Sequence, residues 1–316
     1  MQFALRKGLA AVACAATLVV STTDASNAAG SKIMHLPTGS LKHDYVVGKN
    51  QVLRVNQKVM LGKRRVTLQG GKLDLIGRID IPTGGTLVVN GGELKGKGSI
   101  VVHPGGLLRF TGNLKKSLSG VQILNAGVIQ WGGTGAILCR NGTSVKNTGT
   151  IYLSNGSGSN SKYPATTATF LNRGFLIDIS RGRGATIHGN VMNYGTIKVN
   201  EANCEGGLGA IPTPTLITII GTFGSSTGTF QTTIRSDYYG QLYITGAANI
   251  NGGTMAYVLS PTSYVPPNAN YYDVINAGSI GGSPGDFTTF TPSPFLFAHQ
   301  KVTSGGRTKY QLYSYN

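Results

Sequence analysis

The sequence predicts an all-β fold, a solenoid of about 21 residues per coil with three short strands per coil and a less regular β cap at its C-terminal end. Three observations predict it. Glycines recur through the middle of the chain, with Gly85, Gly106, Gly127, Gly149, Gly174 and Gly195 spaced 21, 21, 22, 25 and 21 residues apart, and repeats of that length mark a stacked architecture. Between them apolar residues alternate with period two, as in Leu73 and Leu75, Ile79 and Ile81, or Leu87 and Val89, which is strand periodicity. Composition agrees, since 47 Gly and only 12% charged residues in a chain of 316 suit short strands joined by tight turns, whereas an ordinary soluble domain is about 25% charged.

The first 28 residues read as a secretory signal peptide. Arg6 and Lys7 precede an apolar run from Gly8 to Val20, and Ser26 and Ala28 supply a small-x-small cleavage site. The run is shorter than the roughly 20 residues that span a bilayer, and no later segment reads as a transmembrane segment. Residues 29–49 form an N-terminal segment and cap, and residues 50–200 the regular coils. Residues 201–316 hold an irregular segment, weaker coils and the C-terminal β cap. There Gly206, Gly207 and Gly209 with two prolines break the register, and most of the 14 tyrosines lie at or after Tyr238. A small separate β-sandwich is the alternative for that last part.

A second glycine ladder, Gly70, Gly91, Gly112 and Gly133, and a third begun by Gly77 and Gly98, give three breaks per repeat. Stacking demands that one interior position be apolar in every coil. Two residues after the first ladder's glycines stand Leu87, Leu108, Ile129, Ile151, Leu176 and Ile197, with Val66 upstream. Four residues after stand Val89, Phe110, Trp131, Leu153, Asp178 and Val199, with Leu68 upstream. The position between them runs Thr67, Val88, Arg109, Gln130, Tyr152, Ile177 and Lys198, as an outside should. Asp178 breaks the inner row, and a carboxylate there is costly. The expectation is a local register shift that buries Ile177 and Ile179 and turns Asp178 outward. Trp131 should be buried between Phe110 and Leu153.

In four consecutive coils a corner reads apolar-x-Asn-x-Gly. Asparagine amides both donate and accept, so Asn125, Asn147, Asn172 and Asn193 are expected to form a structural hydrogen-bonded ladder.

These repeats, with their Asn-x-Gly-Thr-Ile-like corners, resemble the passenger solenoids of autotransporter and filamentous-haemagglutinin-type adhesins over about residues 50–260. Gln241 to Gly246, Gly252 to Thr254 and Tyr272 to Ile275 resemble the closing repeats of such passengers. The resemblance implies a right-handed parallel β-helix used for adhesion or surface display.

Motifs for catalysis are sparse. Polysaccharide lyases and hydrolases of the β-helix fold gather carboxylates on one outer groove, but residues 60–200 hold only Asp74, Asp80, Glu93 and Asp178, whose phases in the repeat do not coincide. No nucleophile elbow, zinc-protease helix motif, Cys-x-x-Cys pair or phosphate loop occurs, and no cofactor or metal is expected. His35, His43, His103, His188 and His299 are scattered and read as surface or corner residues. Outward Thr67, Thr86, Thr150 and Thr196 are too interrupted for an ice-binding array.

Charge is the functional feature with a spatial pattern. The formal net charge is +17, and it is graded: +11 over residues 29–120, +5 over 121–235 and zero from 236 onward. Counted from the glycines, Lys72, Lys95, Lys97, Lys115 and Lys116 fall along one flank, with Lys63, Arg64 and Arg65 a cluster one coil edge away. With coils stacked at ~4.8 Å, such a basic strip fits a polymer of regularly spaced negative charge, an acidic polysaccharide or matrix polymer before nucleic acid or a phospholipid surface. Lysines that merely keep strand edges soluble are the competing explanation.

Once the signal is removed, Cys139 and Cys204 remain, either as a disulfide or as two buried thiols. Asn141 and Asn155 each open an N-glycosylation sequon. The sequence thus predicts a secreted, non-enzymatic protein of the cell surface, cell wall or extracellular matrix, with a lyase or hydrolase of the same fold as the alternative.

Overall fold

The computed structural model describes residues 31–135, 137–154, 168–179, 184–199, 213–235, 238–259, 271–284, 286–289 and 296–315. Among them there is no helix, and short strands pair in parallel from coil to coil to give a β-solenoid of about nine turns. The expected signal peptide, the irregular segment 201–212, Cys204 and Asn155 lie outside the described residues.

Each coil presents three faces. The first is built from Lys32–His35, Gln51–Val55, Lys72–Leu75, Gly92–Lys95, Lys116–Ser119 and Ile137–Arg140. The second comprises Gly39–Ser40, Lys58–Met60, Arg78–Ile81, Ser99–Val102, Gln122–Asn125, Ser144–Asn147, Thr169–Asn172 and Asn190–Asn193. The third comprises Tyr45–Gly48, Arg65–Gln69, Thr86–Val89, Leu107–Phe110, Val128–Trp131, Thr150–Leu153, Phe175–Asp178 and Thr196–Val199. Parallel stacking runs past residue 200, since Thr196–Val199 pairs with Thr229–Ile234, that strand with Thr254–Leu259, and that in turn with Asp286–Thr289.

Both inner ladders of the third face stand in register from Val66 and Leu68 to Ile197 and Val199, and their apolar members are buried. Trp131 packs on Phe110, ring centroids 4.8 Å apart, and edge-on against Phe170 of the second face at 5.6 Å. The lumen is therefore filled by contacts both along and across the coils.

Asp178 does not turn outward. The register holds through it, Leu153 to Asp178 to Val199, and its side chain is 0% exposed, while Ile179 is exposed and Ile177 half-buried. Shifting one strand by a residue would invert every side chain in it and break pairing with both neighbouring coils. Keeping the ladder costs one interior carboxylate, which has polar or electrostatic contacts of its own.

The glycine ladders serve different physical needs. A Cβ on Gly174 would stand 2.1 Å from the carbonyl oxygen of Gly149 in the coil below, so this corner needs glycine for close approach of two backbones. Gly91 has φ +94°, a left-handed conformation in which a side chain is strained.

The asparagine ladder forms as expected. Asn147 Nδ2 donates to Asn172 Oδ1 at 2.7 Å, and Asn172 Nδ2 to Asn193 Oδ1 at 2.8 Å. Each amide also donates across the corner to a backbone carbonyl, Phe175 O for Asn147 and Thr196 O for Asn172. Both amide hydrogens are thus used inside the corner, which is why buried asparagine is tolerated there.

The C-terminal end is blunted by an antiparallel hairpin, Leu296–Ser304 with Arg307–Tyr315, whose second strand pairs with Tyr271–Ser283. Asp273 accepts hydrogen bonds from Lys309 Nζ at 2.6 Å and Gln311 Nε2 at 2.7 Å. The Arg307 guanidinium lies 4.2 Å from the Tyr243 ring centroid and donates to Asn276 Oδ1 and Ile244 O. This hairpin occupies a strand edge that would otherwise be open to pairing with another chain.

Candidate functional site

The first face carries basic side chains at coil spacing. Outward on its strands stand Arg54, Lys72, Lys95 and Arg140; Lys97 follows at the corner with the second face and Lys115 at the corner with the third. Two carboxylates interrupt them. Asp74 accepts from Arg54 Nε at 3.1 Å, and Glu93 lies 3.9 Å from Lys72 Nζ. In register, Lys95 follows Asp74, and Glu93 follows Lys72. These six bases are interleaved with the two acids in a checkerboard and not an unbroken row.

Lys116 is not part of that surface. It is 0% exposed, points inward between Gly92 and Ile137 of the adjoining coils, and donates from Nζ to the carbonyls of Gly112, Leu114 and Gly135 at 3.1, 3.1 and 3.3 Å. Burial lowers its pKa to about 8. The misplacement has a simple cause: Val89 and Phe110 are register partners 21 residues apart, but Gly92 and Lys116 are partners 24 apart. A corner three residues longer moves Lys115 to Ser119 out of phase, and the third face regains the 21-residue spacing where Leu107 pairs with Val128.

The Lys63, Arg64 and Arg65 cluster is exposed at the corner between the second and third faces, away from the first face. Its backbone is fixed where Arg65 N–H donates to Asp44 Oδ1 at 2.9 Å.

A further cluster on the second face was not legible in the sequence. Asp80 lies 1% exposed beneath Arg78, Lys58 and His103. Its Oδ1 accepts from Arg78 Nε at 2.9 Å and Nη2 at 2.5 Å and from His103 Nε2 at 2.8 Å, while Lys58 Nζ is 3.5 Å from Oδ2. Burial pushes the Asp80 pKa up, but the hydrogen bonds from Arg78 and His103 and the charges of Arg78 and Lys58 outweigh it, holding the carboxyl below its ordinary value. An ionised carboxylate only accepts, so His103 Nε2 carries the proton that bonds it. Arg78 and Asp80 are two apart on one strand, but Lys58 and His103 come from the preceding and following coils, so no local motif announces the group.

Cys139 is a buried free thiol in the inner row of the first face, next to Leu118, and burial pushes its pKa up to about 12. Asn141 sits exposed in a tight turn at φ 51°, with Nδ2 donating to Ser119 Oγ at 2.7 Å. Thr143 of that sequon is buried and donates to Arg140 O at 2.7 Å. Among the described residues no helix is long and apolar enough to cross a membrane.

Comparison with protein-family models and with curated proteins finds no match to this chain.

Proposed function

We propose that this protein is a secreted, non-enzymatic solenoid of the cell surface, cell wall or extracellular matrix that binds acidic polysaccharide along its first face. The supporting observation is that face's excess of bases, Arg54, Lys72, Lys95, Lys97, Lys115 and Arg140 against Asp74 and Glu93. Coils at ~4.8 Å repeat the charges at a fixed interval, so an extended polyanion meets several of them at once and releases several counterions. The signal-like N-terminus supports export, and the repeat's likeness to adhesin passengers supports a role in adhesion.

The test is a matched comparison on polygalacturonate. Replacing Lys72, Lys95, Lys97 and Lys115 by Gln should weaken binding far more than replacing Lys63, Arg64, Arg65 and Arg109, four bases on the opposite corner and third face. Equal losses would reduce the interaction to generic charge, and no binding at physiological salt would reject the reading.

One observation favours the alternative of a polysaccharide lyase or hydrolase, the Asp80–His103 pair flanked by Arg78 and Lys58. New reducing or unsaturated ends on polygalacturonate, abolished by His103→Gln, would establish it.

A further inference from the structure

Large apolar side chains are exposed in a cluster where the second and third faces meet, between residues 171 and 194. Phe175 is 52% exposed, Met192 42% and Tyr194 39%, and Leu171 precedes Met192 in register on the second face. At this corner Ala126 and Thr148 stand where Arg173 and Tyr194 stand later, and Thr150 and Thr196 of the two adjoining coils flank Phe175 in register. Solubility cannot account for replacing Thr by Phe and Tyr on the outside of a coil, since exposed apolar clusters are costly unless something covers them.

The surroundings say what kind of group covers this one. The Arg173 guanidinium lies 5.7 Å from the Tyr194 ring centroid. Lys146 is exposed beside Leu171 on the second face, and Lys198 stands beside Ile177 on the third. The one carboxylate among the described residues 137–199 is Asp178, and it is inside. The ridge therefore combines aromatic surface with a rim of positive charge that no outward carboxylate among the described residues 137–199 neutralises. Aromatic faces are electron-rich, and the C–H bonds of a pyranose, polarised by the ring's oxygens, stack on them; its carboxylate or sulfate groups would meet the guanidinium and the two ammonium groups. Single-stranded nucleic acid also pairs stacking with cations, but needs aromatic platforms for successive bases, and here two exposed rings stand one coil apart.

We propose that this ridge is a second binding site, which stacks a sugar ring of an acidic glycan on Phe175 and Tyr194 and holds its anionic groups with Arg173, Lys146 and Lys198. The inference rests on the reading of the protein as an acidic-polysaccharide binder, and makes recognition depend on the sugar ring as well as on charge.

The experiment uses the variant Phe175→Thr with Tyr194→Thr, chosen because an earlier coil carries Thr150 and Thr148 at these positions. Binding of the full chain is measured by calorimetry to polygalacturonate, dextran sulfate, polyphosphate and oligothymidylate at one ionic strength. The variant should bind at least one of the two glycans tenfold or more weakly while binding polyphosphate, which has no ring, as the wild type does; which glycan loses identifies carboxylate or sulfate as the anion. Unchanged binding to both glycans, or a loss on polyphosphate as large as on the glycans, overturns the proposal. A loss confined to oligothymidylate also overturns it, in favour of nucleic acid. If the first-face variant loses glycan binding and the ridge variant does not, the ridge proposal alone fails. The reverse leaves the ridge and removes the first face, and a wild type that binds neither glycan overturns both.

Discussion

Asn125 Nδ2 donates to Asn147 Oδ1 at 2.7 Å, but Asn125 Oδ1 at the other end of the same amide is buried and accepts no hydrogen bond. The ladder starts there because its register partner in the preceding coil is Val102, which has no donor. A buried acceptor left unsatisfied costs ~1–3 kcal/mol. Val102→Thr is nearly isosteric and supplies a hydroxyl to donate to Asn125 Oδ1. It should therefore cost less than Val145→Thr, an interior control on the same face, by about 1–2 kcal/mol. Urea unfolding midpoints at constant slope measure the difference, and equal losses would contradict it.

Lys116 predicts an alkaline rise in stability. Its pKa is about 8 in the fold against an ordinary 10.5, so between those values the unfolded chain holds a proton that the folded chain has released. Stability then increases with pH across that window, by at most about 3 kcal/mol, and below pH 8 the penalty of the buried charge is present in full. Lys116→Met should remove this segment of the pH dependence. A variant whose stability climbs as steeply as the wild type's from pH 8 to 10.5 would show that the ammonium is not the group responsible.

Asp80 has the opposite sign. Its carboxyl is held below its ordinary value, so the stability it contributes is present above about pH 4 and is lost as pH falls through the lower folded pKa. Asp80→Asn should cost about 1–2 kcal/mol at pH 7, a modest figure because Arg78 and Lys58 keep much of their solvent contact. The gap from wild type should close on acidification. A pH-independent gap would mean that lost packing, not lost charge, sets the cost.

How much of this was legible in the sequence depended on whether a residue's environment repeats. The inner rows from Val66 to Val199 and the asparagine corner were readable because stacking puts the same demand on each coil, so one glycine spacing aligned them. Lys116 was misplaced because the lengthened corner after Phe110 hides behind an unchanged 21-residue glycine spacing. Asp178 was misread by weighing the cost of one carboxylate against a shift of one residue, when the shift would have disrupted pairing with two neighbouring strands. The Asp80 group was invisible because its members come from three coils, and the ridge of Phe175 and Tyr194 because an outward aromatic looks like ordinary variation until its neighbours are known.

The most direct test of the account is lysine footprinting on the full chain with and without polygalacturonate, read by mass spectrometry. Lys72, Lys95, Lys97 and Lys115 should be shielded by the polymer, Lys63 should react equally in both states, and Lys116, already buried, should react in neither. Uniform shielding of every exposed lysine, or shielding of Lys63 while the first-face lysines stay reactive, would contradict the assignment of that face to the polymer.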